Sequence, residues 1–413
     1  MNTQKNLPIF HINAEPQGFY QCGNQNELSY YTNVTKEKLA LYLSKLESLG
    51  YVLKQKNSLN GNFSATLTSQ EGLIHINHVK NDNSLKILYD PLCETVYKPL
   101  EEDYEKITET VLSVLPLDYS HREITDANGM AFVITLEDGR FIVIDGGYGE
   151  YVSGNEKKAS RDAHLLYEHL CRENKRADEK IKIAAWIITH PHEDHYGAFV
   201  KFSKLYANNV SVEYFIYNHG DPSTYSKQYP ADQFLAEKMP KIIESCYKNS
   251  KVIKPHDGQI LKFCNTEITV LHTHESCIPH FEPAPNDTSL VLRLTNSGKS
   301  VLFMADCDES VSNLLVNNYG DSLKSDVLQI NHHGYSGMTK ELFDTIDPSY
   351  TVWTTSKKAF TLRTNGQKYE FIGNAVEVNK YIYDKIKAAR SIIADETIKQ
   401  ILFYDNSIKI SIQ

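Results

Sequence analysis

Hydrophobic and polar residues alternate along the first part of the chain. Six short segments with a period of two, typical of strands that have one covered face, lie at 19–22, 28–34, 51–56, 63–68, 73–78 and 85–89. Between the second and third segments, Leu39, Tyr42 and Leu46 keep helical spacing after Thr35, a residue type favoured at helix N-caps. We therefore predict an α+β domain of unknown role over residues 1–115, with one helix on a mostly antiparallel sheet.

The period changes beyond residue 115, where apolar runs alternate with amphipathic segments. Strands are predicted at 131–136, 140–144, 181–188, 210–217, 267–271, 289–294, 300–304, 326–330 and 408–412, and helices at 163–171, from Gly197, at 235–247 and at 375–389. Pro240 is expected to interrupt the third helix. The alternation predicts a layered α/β domain over residues 116–413, with functional residues at the strand ends.

Composition narrows the class of protein. No run approaches the roughly 20 apolar residues of a membrane-spanning helix, and the first residues lack the apolar core of a signal peptide. The seven cysteines are scattered and never spaced as Cys-x-x-Cys, which favours free thiols in a reducing compartment. We expect a cytoplasmic protein with no membrane contact. These patterns leave the oligomeric state open.

The charge argues against one large class of partners. The chain carries a net charge of −9 and has no basic run. Non-specific binding of a nucleic acid requires a field of lysines and arginines that displaces counterions from the phosphates. The charge therefore disfavours a long nucleic acid and favours a small-molecule substrate.

A cluster of metal-ligand residue types follows the apolar run that ends at Ile188. His190, His192, Asp194 and His195 lie within six residues, in the spacing His-x-His-x-Asp-His. Imidazole nitrogens and carboxylate oxygens are ligands that Zn²⁺ and related divalent ions prefer. The first two histidines are two residues apart in extended chain, so they can chelate one ion. The other two ligands lie past the bend and can turn toward a second ion. The cluster predicts a metal site at a strand end.

Three further strands end in residues of the same types. Asp145 precedes Gly146-Gly147, Asp306 follows 301–305, and the pair His332 and His333 follows 326–330. In this order, and with the His-x-His-x-Asp-His cluster, the chain resembles the metallo-β-lactamase superfamily over about 124–413. The stretch 286–292 and the His-His-Gly ending are most similar to the hydrolase domain of the competence protein ComEC and to its phosphodiesterase relatives, which include phosphorylcholine esterases.

The resemblance implies an αββα sandwich and two divalent ions, with zinc favoured over manganese or iron. It implies that Asp306 bridges the ions, that Asp194 and His333 act with it in catalysis, and that Asp145 holds a ligand histidine by a hydrogen bond. Of the pair His332 and His333, consecutive strand residues that face opposite sides, we expect one to bind metal and favour His333. Two ions ~3.5–4 Å apart would generate hydroxide near neutral pH.

The sequence departs from the superfamily pattern at two places. A further histidine is missing before the strand at 289–294, so Asn286 or Asp287 is expected to supply an oxygen ligand, or the first ion is held by His190, His192 and Asp306 alone. Alternatives further upstream are the histidines at 272, 274 and 280. The second departure is at 371–377, which replaces a Gly-His-Pro-His stretch of ComEC-type nucleases.

Four residues beside these motifs are candidates for substrate binding: Asn286, Asp287, Tyr196 and Tyr335. The favoured function is hydrolysis of a phosphoester, more specifically a phosphodiester of modest size. The alternatives are acyl hydrolysis of a β-lactam, lactone or thioester, a ComEC-type nuclease, and a non-catalytic protein that senses a metal or ligand. The ComEC-like stretches favour the phosphodiesterase.

Overall fold

The computed structural model describes residues 16–22, 26–91, 104–117, 129–149, 156–221, 230–368, 375–404 and 407–412, without the side chains of 156–160 and 230–232. The strands are β1 (Gly18–Gln21), β2 (Glu27–Tyr31), β3 (Val52–Leu59), β4 (Asn62–Ser69), β5 (Gly72–Val79), β6 (Ser84–Asp90), β7 (Val111–Val114), β8 (Ala131–Thr135), β9 (Phe141–Asp145), β10 (Ile181–Ile187), β11 (Val210–Ile216), β12 (Lys251–Ile253), β13 (Ile260–Phe263), β14 (Thr266–His272), β15 (Val291–Asn296), β16 (Lys299–Phe303), β17 (Val327–Gln329), β18 (Tyr350–Trp353), β19 (Ser391–Ile393), β20 (Lys399–Tyr404) and β21 (Ser407–Ile412). The helices are α1 (Lys36–Ser48), α2 (Glu156–Glu173), α3 (Glu193–Tyr206), α4 (Pro230–Cys246), α5 (Glu309–Tyr319), α6 (Lys340–Ile346), α7 (Lys357–Thr364) and α8 (Ala375–Ile386).

The first six strands and α1 form the amino-terminal unit, the described residues 16–91. Its strands pair antiparallel in the order β1-β2-β6-β5-β4-β3. Thr35 caps α1, and its side chain accepts a hydrogen bond from the backbone N–H of Lys38 at 3.4 Å. The helix buries Leu39, Tyr42 and Leu46 against one face of the sheet. The predicted arrangement of one helix on an antiparallel sheet is confirmed.

The remaining strands form two sheets that pack face to face in the sandwich domain. One sheet has the order β12-β11-β10-β9-β8-β7-β20-β21 and the other β13-β14-β15-β16-β17-β18-β19. Residues of both sheets meet in an apolar layer, where the rings of Phe132 and Phe303 lie 5.0 Å apart. Alternate residues on β9, such as Val143, point outward instead and pack against a layer that contains residues of α2, α3 and α4. Residues of α5, α6, α7 and α8 cover the second sheet, which confirms the αββα sandwich.

Three details differ from the predicted elements. Helix α4, which Pro240 was predicted to interrupt, is continuous through this residue, although proline removes one hydrogen-bond donor from the helix. Helix α3 begins at Glu193 rather than at Gly197, because two acidic residues in its first turn suit the positive end of the helix dipole. Strand β7, Val111–Val114, pairs with β8 and β20. It therefore belongs to the sandwich sheet, although it precedes the predicted boundary at 115.

The amino-terminal unit packs on the sandwich domain through buried polar groups. These groups lie on the sheet face opposite α1, since they alternate with the residues under the helix. The Nζ of Lys86 donates hydrogen bonds to the carbonyls of Glu275 and Ser276, at 3.1 and 2.7 Å. The Nε2 of His75 lies 2.9 Å from the carbonyl of Asp257. Buried polar groups are costly unless their partners are in place, so this contact fixes how the two parts sit on each other.

No helix among the described residues has the length and apolar character needed to cross a bilayer. The six cysteines at described positions are free thiols. Most of the acidic stretch 101–105, which we expect to begin a helix that links the two domains, lies outside the described residues.

Candidate metal centre

Four predicted ligands lie where β10 passes into α3. His190 is fully buried just after the strand, and His192 occupies the extended N-cap position of the helix. Asp194 and His195 sit in the first helical turn rather than in a loop. The change from strand to helix turns these two side chains away from the direction of the first two. The spacing of the motif therefore produces two pairs of ligands.

The loop after β9 fixes the first turn of α3. Gly146 N–H donates to the carbonyl of His195 at 2.8 Å, and Gly149 N–H donates to that of Glu193 at 3.0 Å. A Cβ atom on Gly197 would lie 2.3 Å from the backbone nitrogen of Gly149. This close approach requires glycine, and it explains the glycine that follows the histidine cluster.

Asp145, at the end of β9, is fully buried and has a left-handed φ of 58°. Its carboxylate accepts hydrogen bonds from the backbone N–H and the hydroxyl of Thr189, both at 2.8 Å. It also lies 2.7 Å from Nδ1 of His195. With Nδ1 held in this way, Nε2 of His195 faces Asp306, 3.1 Å away. The carboxylate thus orients the imidazole, the arrangement that the family resemblance implies for it.

Asp194, His195, Asp306 and His333 converge from the two sheets, and we call them the four-residue group. Nε2 of His333 lies 3.2 Å from a carboxylate oxygen of Asp194 and 3.2 Å from one of Asp306. It is also 3.2 Å from Nε2 of His195. Ligands bound at about 2.0–2.2 Å in a tetrahedron lie roughly 3.3–3.6 Å from one another. The group therefore has the dimensions of a metal coordination shell.

His190, His192 and Asp306 form a second set, the three-residue group. Nε2 of His190 lies 3.8 Å from Asp306 Oδ2, and the two imidazole rings have centroids 4.5 Å apart. Asp306 belongs to both groups, as a bridging carboxylate requires. Its strand β16 pairs parallel with β17, so Asp306 and His333 leave the same edge of the sheet.

The polar atoms of these groups fit a pair of cations. Within the described part of the chain, Nε2 of His190 and both carboxylate oxygens of Asp306 are buried without a hydrogen bond. Buried polar atoms are normally paired, and a divalent ion would satisfy all three. Burial and the neighbouring His195 and His192 hold the pKa of His190 well below its usual value, in the neutral form that binds metal. Despite its burial, the pKa of Asp306 lies well below its usual value because His195 and His333 face it.

The two consecutive histidines differ in their surroundings. Both have left-handed backbone conformations, with φ of 45° at His332 and 55° at His333, so the strand alternation assumed for them does not apply. His333 is buried in the four-residue group. His332 belongs to neither group: its Nδ1 lies 2.8 Å from the hydroxyl of Ser336, and its Nε2 3.7 Å from Asp306.

Sequence reasoning missed two residues that support His333. The hydroxyl of Thr354 lies 2.7 Å from its Nδ1, and the guanidinium of Arg363 donates to its carbonyl at 2.8 Å. Thr354 directly follows β18, which pairs with β17, so its position at a strand end could have indicated that it belongs to the site. Arg363 is a buried helix residue with no such signal. Its guanidinium also lies 5.2 Å from the ring centroid of Tyr335, which keeps this candidate beside the site.

Tyr196 does not face an open site. It is 1 % exposed and packs in the apolar layer under α3, with its ring 5.6 Å from that of Phe199, because the helix starts earlier than predicted and rotates this position inward. Four of the alternative ligands belong to neither group: Asp287, His272, His274 and His280. In the 286–288 turn, Asp287 accepts a hydrogen bond from the backbone N–H of Ala284 at 3.2 Å.

Comparisons with known proteins agree with this geometry. The family model for the Metallo-beta-lactamase superfamily matches residues 124–354, which is more than half of the 413 residues. No curated protein matches the chain significantly.

Solved structures of low identity also match. The metallo-beta-lactamase fold protein YhfI from Bacillus subtilis is 12% identical with a TM-score of 0.40, over 71% of this chain and 100% of its own. The diiron beta-hydroxylase CmlA from Streptomyces venezuelae is 12% identical with a TM-score of 0.39, over 71% and 54%. A metallo-beta-lactamase from Cronobacter sakazakii is 14% identical with a TM-score of 0.30, over 64% and 90%. Likeness at this level supports no statement about activity.

Proposed function

The chain belongs to the metallo-β-lactamase superfamily, and from this premise we propose that it is a metal-dependent hydrolase of a phosphodiester of modest size. The proposal for the substrate depends on how the two ligand groups differ. The four-residue group offers a full set of protein ligands for one ion. The three-residue group offers one ligand fewer.

The composition of the three-residue group is the observation that carries the proposal. His190, His192 and Asp306 supply its ligand atoms, and no other described histidine, cysteine, aspartate or glutamate joins them. In the turn at 286–288, where relatives carry a further histidine, Asp287 accepts from Ala284 N–H and the Thr288 hydroxyl donates to the carbonyl of Pro285. An ion held by three protein ligands keeps an open coordination position. A phosphodiester has two non-bridging oxygens, so it can occupy that position and contact the second ion as well.

The protein's own residues position the ligands. Asp145 and Thr354 hold Nδ1 of His195 and His333, which directs the Nε2 atoms of both rings toward Asp306. Two divalent ions held by these groups would activate water near neutral pH and polarise a phosphoryl oxygen. We propose zinc, with manganese or iron as alternatives, because imidazoles and carboxylates suit all three metals. The net charge of −9 supports a small-molecule substrate rather than a long nucleic acid.

A panel of substrates tests this proposal. Metal-loaded protein is assayed with bis(4-nitrophenyl) phosphate, phosphorylcholine, nitrocefin, an acyl thioester and plasmid DNA, with the Asp194→Asn variant as a control for contaminating hydrolases. We expect the phosphodiester to have the highest kcat/KM and plasmid DNA to be cut weakly at physiological salt.

Each other outcome selects an alternative. Rapid nitrocefin or thioester turnover without phosphodiester turnover would show an acyl hydrolase. Robust plasmid degradation at physiological salt would show a nuclease. Binding of metal with no turnover of any substrate in the panel would favour the non-catalytic sensing protein.

A further inference from the structure

A cavity of about 490 Å³ lies between the amino-terminal unit and the sandwich domain. Strand β1 of the amino-terminal unit forms one wall, through Phe19 and Tyr20. The sandwich domain forms the other walls, through Gly220 beyond β11 and through Phe281 and Thr288. The cavity has the size of a small-molecule site, and neither part of the chain encloses it alone.

The walls of the cavity are linked to the segments that bear the metal ligands. Gly220 follows His219, whose Nε2 lies 3.3 Å from the carbonyl of Ile188, two residues before His190. Thr288 precedes Ser289, whose hydroxyl accepts a hydrogen bond from the backbone N–H of Asp306 at 3.3 Å. Gly220 and Thr288 in the cavity wall are therefore sequence neighbours of His219 and Ser289, which contact the segments that bear the metal ligands.

The lining has a distinct chemistry. Its apolar part includes Phe19, Tyr20 and Phe281, and its charged part consists of Asp221 and Glu282. Neither lysine nor arginine occurs among the described lining residues. Aromatic faces and carboxylates attract cations and accept neutral apolar groups, whereas an anionic group would be repelled.

From this lining and its position we propose that the cavity binds the organic part of the substrate, a neutral or positively charged group with an aromatic or apolar body. The amino-terminal unit then acts as a specificity element, because β1 supplies part of the wall. The role in catalysis depends on the proposed hydrolase function, whereas binding in the cavity does not.

Calorimetry on the full-length, metal-loaded protein tests the binding. The probes are benzyltrimethylammonium, a cation with an aromatic body, and phenylacetate, its anionic counterpart. The variants are Phe281→Ala and Phe19→Ala, with Leu41→Ala as the matched control, because Leu41 is an exposed apolar residue of the same unit on α1. Thermal melting confirms that each variant is folded.

We expect the Kd of benzyltrimethylammonium to rise about tenfold in Phe281→Ala, since contact with an aromatic face contributes on this scale. The rise should be smaller, about threefold, in Phe19→Ala, because the Phe19 side chain is 54 % exposed. Leu41→Ala should bind like the wild type. The proposal is overturned if both cavity variants bind the cation like the wild type. It is also overturned if phenylacetate binds as tightly as benzyltrimethylammonium and the Phe19→Ala variant weakens the binding of both probes equally.

A kinetic comparison tests the link to catalysis. Phenyl 4-nitrophenyl phosphate and methyl 4-nitrophenyl phosphate have the same leaving group and differ in the other ester group. We expect Phe281→Ala to lower kcat/KM for the phenyl diester about tenfold and to leave the methyl diester unchanged. An equal loss for both esters would overturn the specificity role. If neither diester is hydrolysed while the cation still binds, the proposed hydrolase function fails and the binding site stands.

Discussion

Replacement of Asp145 by asparagine tests whether this residue, which is not itself a proposed metal ligand, increases metal affinity by orienting the ligand His195. Asp145 touches none of the proposed metal positions, yet its carboxylate accepts two hydrogen bonds from Thr189 and holds Nδ1 of His195. Asparagine has nearly the same shape and keeps one acceptor oxygen. Its NH₂ group would face the hydroxyl of Thr189 and the ring N–H of His195, which are both donors in the native arrangement.

The structure sets the size of the expected effect. A hydrogen bond to a charged group contributes about 1.5–3 kcal/mol, and the substitution removes the one that fixes the His195 ring. With about 1.4 kcal/mol for each factor of ten, this corresponds to a loss of roughly 10- to 100-fold in affinity for the ion at the four-residue group, the range usual for such supporting residues. The ion at the three-residue group should be less affected, because Asp145 reaches His190 through the hydroxyl of Thr189, which lies 3.1 Å from Nδ1 of His190.

The assay is competition for zinc against a chromophoric chelator, which resolves the two binding steps. The matched control is Asp138→Asn, because Asp138 is another buried aspartate. It accepts hydrogen bonds from Arg140 at the opposite end of β9. The control should lower the melting temperature and leave both zinc affinities unchanged. Unchanged zinc affinity in a folded Asp145→Asn variant would refute the orienting role of the carboxylate.

Four other predictions follow from the same geometry. Asp194→Ala should bind one ion per chain instead of two and lose turnover while its melting curve stays cooperative, as elemental analysis and calorimetry would show; wild-type activity would contradict the two-ion site. Gly197→Ala should lower the melting temperature and the metal content together, because its Cβ would lie 2.3 Å from Gly149; an unchanged melting temperature would argue against this close packing. The stabilisation by zinc should increase as the pH rises above about 6.5, the ordinary pKa of histidine. Burial opposes protonation of His195 and His333, but Asp306 and the other carboxylates outweigh it and raise the pKa of both imidazoles. The charged pairs therefore stabilise the metal-free fold at low pH and lose that contribution as the protons leave, whereas zinc binding becomes stronger. Limited proteolysis should cut first near 99–105 and leave two fragments that copurify, since the chain crosses once between two separate sheets; initial cleavage inside either sheet would contradict separate folding of the amino-terminal unit.

Elements with a clear hydrophobic period were predictable from the sequence. The six amino-terminal strands and α1 follow local alternation and the Thr35 cap, and each is present. The strand β10 was clear because both of its faces are buried, which gives a continuous apolar run. The start of α3 was not predictable from apolar spacing, since its first turn contains charged ligands that interrupt the pattern.

The sequence predicted those site residues that lie close together along the chain. It predicted less of the site where residues meet only through tertiary contacts. His190, His192, Asp194 and His195 are close along the chain, so their spacing alone indicated a metal site. The choice between His332 and His333 depends on backbone angles in a short turn, and no periodic pattern encodes those angles. The cavity between the amino-terminal unit and the sandwich domain joins Phe19 to residues more than 200 positions away, and no local pattern in the sequence indicates such a contact.

The central claim is that two ions bind at two overlapping ligand groups. Anomalous diffraction from crystals of the zinc-reconstituted protein, collected on both sides of the zinc absorption edge, tests it most directly. We predict two peaks about 3.5–4 Å apart, one among Asp194, His195, Asp306 and His333, and the other beside His190, His192 and Asp306. A single peak with full occupancy, or peaks away from Asp306, would contradict the account.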